Sequence, residues 1–369
     1  MKEAAPLPDN AAEIPSPAVV LHWPSVEENL RRLLAVVPSP DRLRPHLKTH
    51  KLPQIITRLA ELGVGKAKCA TIAEAEMAAG AGATDVLLAA PLVGPTTGRL
   101  LALGHAFPSV QFAALADERT SLEAASAAAV DSGRDIRVLL DLDVGQHRTG
   151  VPPGPEAAAL YRHLASLPGL VPGGLHAYDG HLHQSDLAER TRACDDAFAP
   201  VRTLADDLRA EQLPVPCLVV GGTPTFPIHA RRPEVECSPG TCVLWDAGYA
   251  SHLPDLDFLC AASLLTRVIS RPGPGRLCLD LGHKAVASEM PQPRVVFPAL
   301  PDAQVVMHNE EHMVIESRRA DDFPVGSVLS GIPWHICPTM ALHSFVHVVH
   351  AHLATEVWPV TARTRHLTC

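Results

Sequence analysis

Positive charge is in short supply. The chain carries 31 lysines and arginines against 40 aspartates and glutamates, a formal net charge of −9, so no bulk positive field exists to gather nucleic-acid phosphates. Nucleic acid is not an expected partner, although a local basic pocket can still hold one small anion. Long apolar runs are missing as well. Stretches such as Val138–Leu142 are interrupted by charge or proline long before the roughly 18 residues a membrane span needs, and no membrane partner is expected. The first twenty residues mix Lys2, Glu3, Asp9 and Glu13 with several prolines and hold no apolar core of signal-peptide length. A soluble, cytoplasmic protein is predicted. Nine cysteines, an odd number with no CxxC pair, do not make a disulfide framework; reduced and mostly buried thiols are expected. Nor is there an internal repeat, or a low-complexity tract beyond the proline-rich N-terminal arm. A GxGxxG loop after an early strand is absent too, since Gly63-Val64-Gly65 does not supply one, which argues against an NAD-binding dehydrogenase.

What remains is an ordinary globular balance, 47% hydrophobic and 19% charged over 369 residues, long enough for a sizeable core and two domains. Short Val/Leu/Ile/Ala runs alternate with Ala-, Leu- and Arg-rich stretches of helical spacing. Strands are predicted at Arg44–Lys48, Lys66–Ala70, Asp85–Ala90, Val110–Leu115, Ile136–Asp141, Gly174–Tyr178, Cys217–Val220 and Glu234–Cys237. Between them Thr71–Gly80, Ser121–Ser132, Pro155–Leu167 and Ser185–Glu211 read as helices. That repetition points to an α/β protein with an N-terminal (β/α)8 TIM-like barrel, ahead of a doubly wound open sheet. After about Asp255 the texture changes to strand-like segments at Cys260–Ile269, Arg276–Leu281, Ala303–Ile315, Ser327–Ile332 and Phe345–His350, separated by Pro/Gly turns. The expected organisation is an arm over 1–22 that joins the β domain through a strand near Val19–Leu21, a barrel over 23–255, and a C-terminal antiparallel β domain over 256–369.

The densest chemical signal is Arg44-Pro45-His46-Leu47-Lys48-Thr49-His50-Lys51, at the carboxyl end of the first predicted barrel strand, the edge where barrel active sites assemble. A lysine held in a confined position beside other cations has a lowered pKa, so its neutral amine can form a Schiff base with an aldehyde. Lys48 is the candidate. Two further strings follow in order: Cys69-Ala70-Thr71 with Glu74, Ala75 and Glu76, and Asp141-Leu142-Asp143-Val144-Gly145-Gln146-His147-Arg148-Thr149-Gly150. Together these strings resemble the D-threonine aldolase and D-serine dehydratase family, alanine-racemase-like enzymes of fold type III that use pyridoxal 5'-phosphate. The resemblance runs from about Pro17 to about Val349. It implies a cofactor-binding barrel, a C-terminal β domain that carries a metal pair, and a homodimer. It also implies that Lys48 takes the cofactor aldehyde and that Arg148 donates to the cofactor's ring oxygen.

Gly221-Gly222-Thr223-Pro224-Thr225 follows the seventh predicted strand and Ser238-Pro239-Gly240-Thr241 the eighth. Glycine lets backbone N–H groups approach an anion and Ser or Thr adds hydroxyl donors, so Gly221, Gly222, Thr223, Ser238, Gly240 and Thr241 are candidates for the cofactor phosphate. The family usually shows Gly-Thr-Gly where this chain has Gly222-Thr223-Pro224, and proline has no amide to give. His335-Ile336-Cys337, read as a strand, would point imidazole and thiolate to one face. The resemblance implies a His-x-Cys or His-x-Asp pair holding a divalent ion at this place. The soft thiolate favours zinc over manganese or magnesium.

Tyr178-Asp179-Gly180-His181-Leu182-His183-Gln184, just past the sixth predicted strand, offers Tyr178 and His183 for cofactor orientation and proton movement. D-threonine aldolases resemble Tyr-x-Gly-x-x-Gln-His here, with the last histidine as base, whereas this chain has His183-Gln184. Glu310, Glu311 and His312 resemble a Glu-Glu-His segment of the dehydratase branch. His343, His347 and His350 read as part of a strand. The preferred reaction is aldolase-type: retro-aldol cleavage of a β-hydroxy-D-amino acid such as D-threonine to glycine and an aldehyde. The alternative is a dehydratase that eliminates water from D-serine or D-3-hydroxyaspartate to give a keto acid and ammonia; Cys337 and the His183-Gln184 order favour it. A racemase does not explain the metal pair, and a non-catalytic pyridoxal-phosphate carrier would lack the β domain.

Overall fold

The structure, a computed structural model, describes residues 6–368. Met1–Ala5 and Cys369, the outer ends of the predicted arm and β domain, lie outside the described residues. In chain order the elements begin with β1 (Ala18–His22), α1 (Trp23–Val36) and α2 (Pro53–Glu61). They continue with β2 (Lys66–Cys69), α3 (Ile72–Gly80), β3 (Asp85–Pro91), α4 (Thr96–Ala106), β4 (Gln111–Ala116) and α5 (Arg119–Ser132). Next come β5 (Ile136–Leu142), α6 (Pro155–Ser166), β6 (Leu170–Ala177), α7 (Leu187–Ala210), β7 (Leu218–Val220), α8 (Phe226–His229) and β8 (Val235–Cys237). The last group is α9 (Ala247–His252), β9 (Ala262–Ser270), β10 (Arg276–Leu279), β11 (Val295–Val296), β12 (Gln304–His308), β13 (Met313–Glu316), β14 (Val328–Pro333), α10 (Ile336–Leu342), β15 (Phe345–His350) and β16 (Leu353–Pro359). None of the described helices is long and apolar enough to cross a membrane.

Two compact units are formed. One takes Leu34–Lys48, Pro53–Gly240 and the chain from Thr364; the other takes the chain through Leu33, Thr49–Leu52 and Thr241–Arg363. Residues 23–33 and 241–255 thus group with the β-rich unit. A buried Asn29 explains much of this, because its side chain donates to the carbonyls of Val243 and Leu259 and accepts from Leu259 N–H.

The barrel unit contains a seven-stranded parallel sheet in sequential order from β2 to β8. The predicted first strand at Arg44–Lys48 is not a regular strand. Residues 43–46 make only two parallel bridges, Leu43 to Cys237 on β8 and His46 to Lys68 on β2, while Leu47–Thr49 turns into a 3-10 segment. Pro45 explains the interruption: it has no N–H for a ladder, yet its carbonyl accepts from Lys68 N–H at 2.9 Å. Those bridges close the ring, so the (β/α)8 barrel is completed by an irregular first member.

Alternation along each strand sorts the barrel interior into layers. Arg137, Leu139 and Asp141 share one face of β5, and Gly174 and His176 share one face of β6. At the amino ends lies an ion network: Arg44 pairs with Asp85 and with Glu236, both at 2.8 Å, Lys66 reaches Glu236 at 2.6 Å, and Arg137 also pairs with Asp85. Above it Leu87, Ala113, Leu115, Leu139 and Val219 form a dry cluster. A cavity of about 260 Å3 among Leu100, Gly104, Phe112, Arg134, Arg137 and Val171 is at this amino-terminal side, the face associated with stability rather than catalysis. The string Cys69-Ala70-Thr71 with Glu74 has a local cause. Thr71 caps α3 by accepting from Glu74 N–H at 3.2 Å, and the Glu74 carboxylate accepts from Ala70 N–H at 2.6 Å, a reciprocal capping arrangement.

In the other unit β12, β13, β10, β9, β1, β15 and β16 lie side by side, with β14 also pairing β9 and β11 pairing β14. Ala18–His22 is buried along its whole length, antiparallel to β9 (Val19 opposite Leu264) and parallel to β15 (Val19 opposite Val346). A central strand covered on both faces must be continuously apolar, as Ala18-Val19-Val20-Leu21 is. The segment predicted as one strand over Ala303–Ile315 is instead the hairpin β12–β13, with Glu310 and Glu311 in its turn. His347 and His350 lie on β15 as expected, whereas His343 follows α10.

Arg44 is the cation on which barrel closure turns. Its replacement by Met is expected to lower the unfolding free energy by about 3 kcal/mol, because Asp85 and Glu236 lose a buried counter-charge; the urea midpoint measures this, and a shift no larger than that of a surface substitution would refute it. Burial alone would raise the Asp85 pKa, but Arg44 and Arg137 outweigh it and hold the carboxyl below the ordinary carboxylate range. A depressed folded pKa means the contribution is present above the unfolded value, near 4, and is lost as pH falls through the folded one. Asp85→Asn is therefore expected to remove part of the acid limb of the stability–pH curve.

Candidate active site

The barrel unit places Lys48 in a cavity of about 220 Å3 that is also lined by His46, Lys68, Asp141, Gln146, Arg148, Thr149, His176 and Tyr178. Three cations surround one aromatic ring. Lys48 Nζ is 5.8 Å and Lys68 Nζ 5.7 Å from the Tyr178 ring centroid, with Arg148 Cζ at 5.0 Å. The electron-rich ring face offsets part of the cost of assembling like charges. Lys48 is half-buried and follows His46, whose Nδ1 accepts from Lys48 N–H at 3.3 Å.

The loop after β5 is folded by its own polar groups. Asp143 Oδ1 accepts from Gly145 N–H and His147 N–H, while Asp117 accepts from Gly150 N–H. Gly150 has φ +96° and a Cβ there would lie 2.6 Å from Asp143 N, so no other residue fits. This fold carries Arg148 to the exposed rim and turns Thr149 back to donate to Asp141 Oδ2 at 2.8 Å. Asp141 Oδ1 in turn is 2.6 Å from His176 Nδ1. Burial would raise Asp141, but His176, Thr149 and Lys68 keep it ionised, while burial pushes His176 down. Burial also lowers Lys68 to about 7, assisted by the charge of Lys48 and partly opposed by Asp141 and Asp179.

Both glycine loops are brought together within this unit, since Gly240 N–H donates to Thr223 Oγ1 at 3.1 Å. Besides Gly240, three more of the predicted phosphate donors already have protein partners: Gly221 N–H donates to Ala177 O, Gly222 N–H to Thr225 Oγ1, and Ser238 Oγ to Arg44 O. A Cβ on Gly222 would come 3.0 Å from Tyr178 Cε2, so the loop backs directly onto the ring that Lys48 faces. Beneath it Asp179 holds Thr225 and His229, each at 2.8 Å. Asp179, Cys194 and His229 form a buried group whose ligand atoms lie within 4.8 Å of one another. Its hydrogen bonds are already made, however, and the Arg232 guanidinium sits 2.6 Å from His229 Nδ1, which opposes a second cation there. The cluster acts as a lock between the Tyr178 loop and the Gly222 loop. His183 is exposed and does not line the cavity.

In the β-rich unit His335 and Cys337 are adjacent, but not on a strand. His335 is the N-cap of α10 and Cys337 lies in its first turn, so the helix start, rather than strand alternation, brings imidazole and thiol together. Burial would lower His335, but Cys337 and Glu289 raise it to about 9, and His335 with Thr241 and Thr49 lowers the Cys337 thiol against its burial. Glu289 Oε1 is 2.6 Å from His335 Nδ1, and Cys337 Sγ is 3.1 Å from Thr49 Oγ1 and 3.5 Å from Thr241 Oγ1. Asp246 accepts from Ile336 N–H at 3.1 Å and fixes the turn. An imidazole oriented by a carboxylate beside an acidified thiol is a fitting donor pair for a soft divalent ion.

The cavity fits pyridoxal phosphate on its own evidence. His176 Nε2 and Gln146 Oε1 are buried without a hydrogen-bond partner. Such orphaned groups in a cavity call for a polar occupant. Lys48 would hold its aldehyde carbon, Tyr178 its ring, and the loop at Thr223 its phosphate. Sequence reasoning missed Lys68, His176 and Asp246. A second lysine inside the short strand β2 and a histidine two residues before Tyr178 were the available signals for the first two.

Known proteins share this architecture. The model of the alanine racemase N-terminal domain matches residues 22–245, and that of the serine dehydratase domain matches residues 261–349. The D-threonine aldolase of Arthrobacter sp. is 31% identical over 361 residues, covering 96% of this chain and 94% of that protein. The D-threo-3-hydroxyaspartate dehydratase of Delftia sp. (strain HT23) is 26% identical over 387 residues, covering 95% and 98%. The crystal structure of D-threonine aldolase from Filomicrobium marinum superposes with a TM-score of 0.89 at 29% identity, over 99% of this chain and 100% of that one. The chain belongs to the alanine racemase-like family, in its D-threonine aldolase and D-serine dehydratase branch, and is an enzyme of the lyase class.

Proposed function

We propose that the protein cleaves β-hydroxy-D-amino acids such as D-threonine to glycine and an aldehyde, with pyridoxal phosphate on Lys48 and a divalent metal, zinc by preference, on His335 and Cys337. The observation that carries this reading is the confinement of Lys48 with Lys68 and Arg148 around the Tyr178 ring, a cationic cavity suited to an anionic aromatic aldehyde. Full-length similarity to an aldolase of that specificity supports it. When bound, pyridoxal phosphate supplies an electron sink for the bond broken at the amino-acid α-carbon. Tyr178 orients the ring plane and Arg148 closes the exposed rim with a positive charge. The metal pair would polarise the β-hydroxyl, and His183 is assigned as the group that accepts its proton. We take the working form to be a homodimer, as the resemblance implies, and its location to be the cytoplasm, as the sequence composition suggests.

A second reading, elimination of water to a keto acid and ammonia, is favoured by the thiol at Cys337, by the exposed position of His183 and by the similarity to the dehydratase. Purified protein incubated with D-threonine, D-serine and D-3-hydroxyaspartate distinguishes the two. Glycine and an aldehyde without ammonia are expected, and ammonia with a keto acid would replace the aldolase reading by the dehydratase one. Lys48→Ala is expected to lose the visible absorbance of the lysine-bound cofactor and about 10³-fold or more in kcat. Chelation, or Cys337→Ala, is expected to lower kcat at least about 100-fold with loss of bound metal by elemental analysis. His183→Ala should reduce kcat about 100-fold while sparing cofactor absorbance; full activity in that variant would move the base elsewhere.

A further inference from the structure

The cavity of about 260 Å3 at the amino-terminal side of the barrel unit shares no lining residue with the cavity that holds Lys48. It is built from the second half of α4, the loops that lead into β4 and β5, and the first residues of β4, β5 and β6. Gly104 is buried inside α4, where glycine weakens a helix. A Cβ there would lie 2.9 Å from Arg134 Cζ, so the missing methyl group makes the space that the Arg134 guanidinium occupies on the cavity wall. Arg137 lines the same cavity, and its Nε is buried without a hydrogen-bond partner. A charged donor left unmatched in this way is costly and calls for an acceptor.

The charge and the lining say what the occupant is. Arg137 already gives one terminal nitrogen to Asp85 and the other to Gln111 Oε1, the latter at 3.2 Å, so Nε–H is the donor left for a ligand. Around the cavity stand two arginines, Arg134 and Arg137, against one aspartate, Asp135, a formal surplus of one positive charge. That surplus suits a monoanion, and a phosphate dianion would meet Asp135 and apolar walls. A planar guanidinium matches a carboxylate in particular. The remaining lining is largely apolar, with Leu100, Leu101, Val110, Phe112, Ile136 and Val171, which asks for an apolar tail behind the charged head. A cavity of about 150 Å3 takes benzene, so this one takes roughly ten heavy atoms. Gln111 and Val171 are exposed, and the cavity is thus open to entry from solvent at its rim.

We propose that this cavity is a second ligand site, for a monocarboxylate with an apolar tail the size of an aromatic ring. Arg137 Nε donates to the carboxylate, Arg134 supplies the surplus charge, and Leu100, Leu101 and Phe112 cover the tail. Gly104 makes the room for Arg134. The occupant is an effector rather than a reactant, because the site lies at the face of the barrel opposite to the reactive edge. Arg137 also pairs with Asp85, which pairs with Arg44, the cation that closes the barrel, so occupancy is read in the stability of that closure. The inference stands independently of the Lys48 reading.

Full-length protein is titrated by calorimetry, and melted, with four probes: phenylacetate, the uncharged phenylacetamide, acetate and inorganic phosphate. Phenylacetate is expected to bind with a Kd of about 1 mM or tighter and to raise the Tm with its concentration. The amide, the tail-less acid and the phosphate are each expected to bind at least about tenfold more weakly. Gly104→Ala, which displaces the Arg134 guanidinium, and Arg134→Ala are each expected to weaken phenylacetate at least about tenfold, whereas Lys48→Ala keeps its affinity within about twofold. Without ligand the Tm of Gly104→Ala is expected to be no lower than that of the wild type, because alanine favours the helix, so the loss of binding there is not a loss of fold; if that variant melts early, Arg134→Ala decides alone. Equal binding of phenylacetamide would leave an apolar hole with no anion site, and tighter binding of phosphate would leave an ion site with no place for a tail. Either result overturns the proposal, as does phenylacetate that fails to saturate by about 10 mM, that binds both cavity variants undiminished, or that is lost in Lys48→Ala.

Discussion

Closure of the barrel by a segment that is not a strand is the constraint on which the rest of the structure depends. Residues 43–46 meet β8 and β2 through single bridges, and a ladder that short cannot hold a sheet closed by itself. The Arg44 guanidinium supplies what the backbone lacks. It is buried, it pairs with Asp85 on β3 and Glu236 on β8, and it thereby ties the irregular segment to strands on both sides. Lys48 follows four residues later. The position of Lys48 is thus set by an ion network at the opposite end of the barrel interior, with the apolar layer of Leu87, Leu115, Leu139 and Val219 between the two.

That layering also explains the electrostatics of the cavity. Charges at the amino ends are paired, and the middle layer is dry. The carboxyl-end layer, by contrast, holds more cations than anions around Tyr178. A lysine that is 2% exposed is poorly solvated, so burial drives the Lys68 amine toward its neutral form. A site arranged in this way is strained toward an anionic, ring-shaped occupant. The buried lock of Asp179, Thr225 and His229 holds the loop carrying Tyr178 against the loop carrying Gly222, so that the ring and the glycine turn move as one body.

The His335-Cys337 turn follows a different logic. Its two donors come from a helix start, oriented from outside by Glu289 and Asp246, and the thiol is acidified mainly by its imidazole neighbour. Within the β-rich unit this gives a soft, partly exposed pair of donors, in contrast to the buried Asp179 cluster of the barrel.

Local patterns were enough to read the alternating strands and helices, the N-terminal strand at Val19–Leu21, the carboxyl-end position of Lys48 and Tyr178, and the family itself, because apolar periodicity and short strings of reactive residues are properties of neighbours in sequence. The amino acids near Lys48 could not reveal that Pro45 breaks its strand, nor that Lys68 and His176 would face the same cavity, since those depend on ring closure across residues far apart in the chain. The HxC pair was legible as chemistry and misread as geometry: two residues apart is a shared face on a strand, and only packing decided that a helix begins there. Which loop amides are occupied was likewise beyond the sequence, because Thr225 and Thr223 meet Gly222 and Gly240 only after the two loops are folded together. Residue identity determined what the protein can bind; tertiary closure decided which of those groups are left buried without partners, and it is the unpaired ones that point to the ligand.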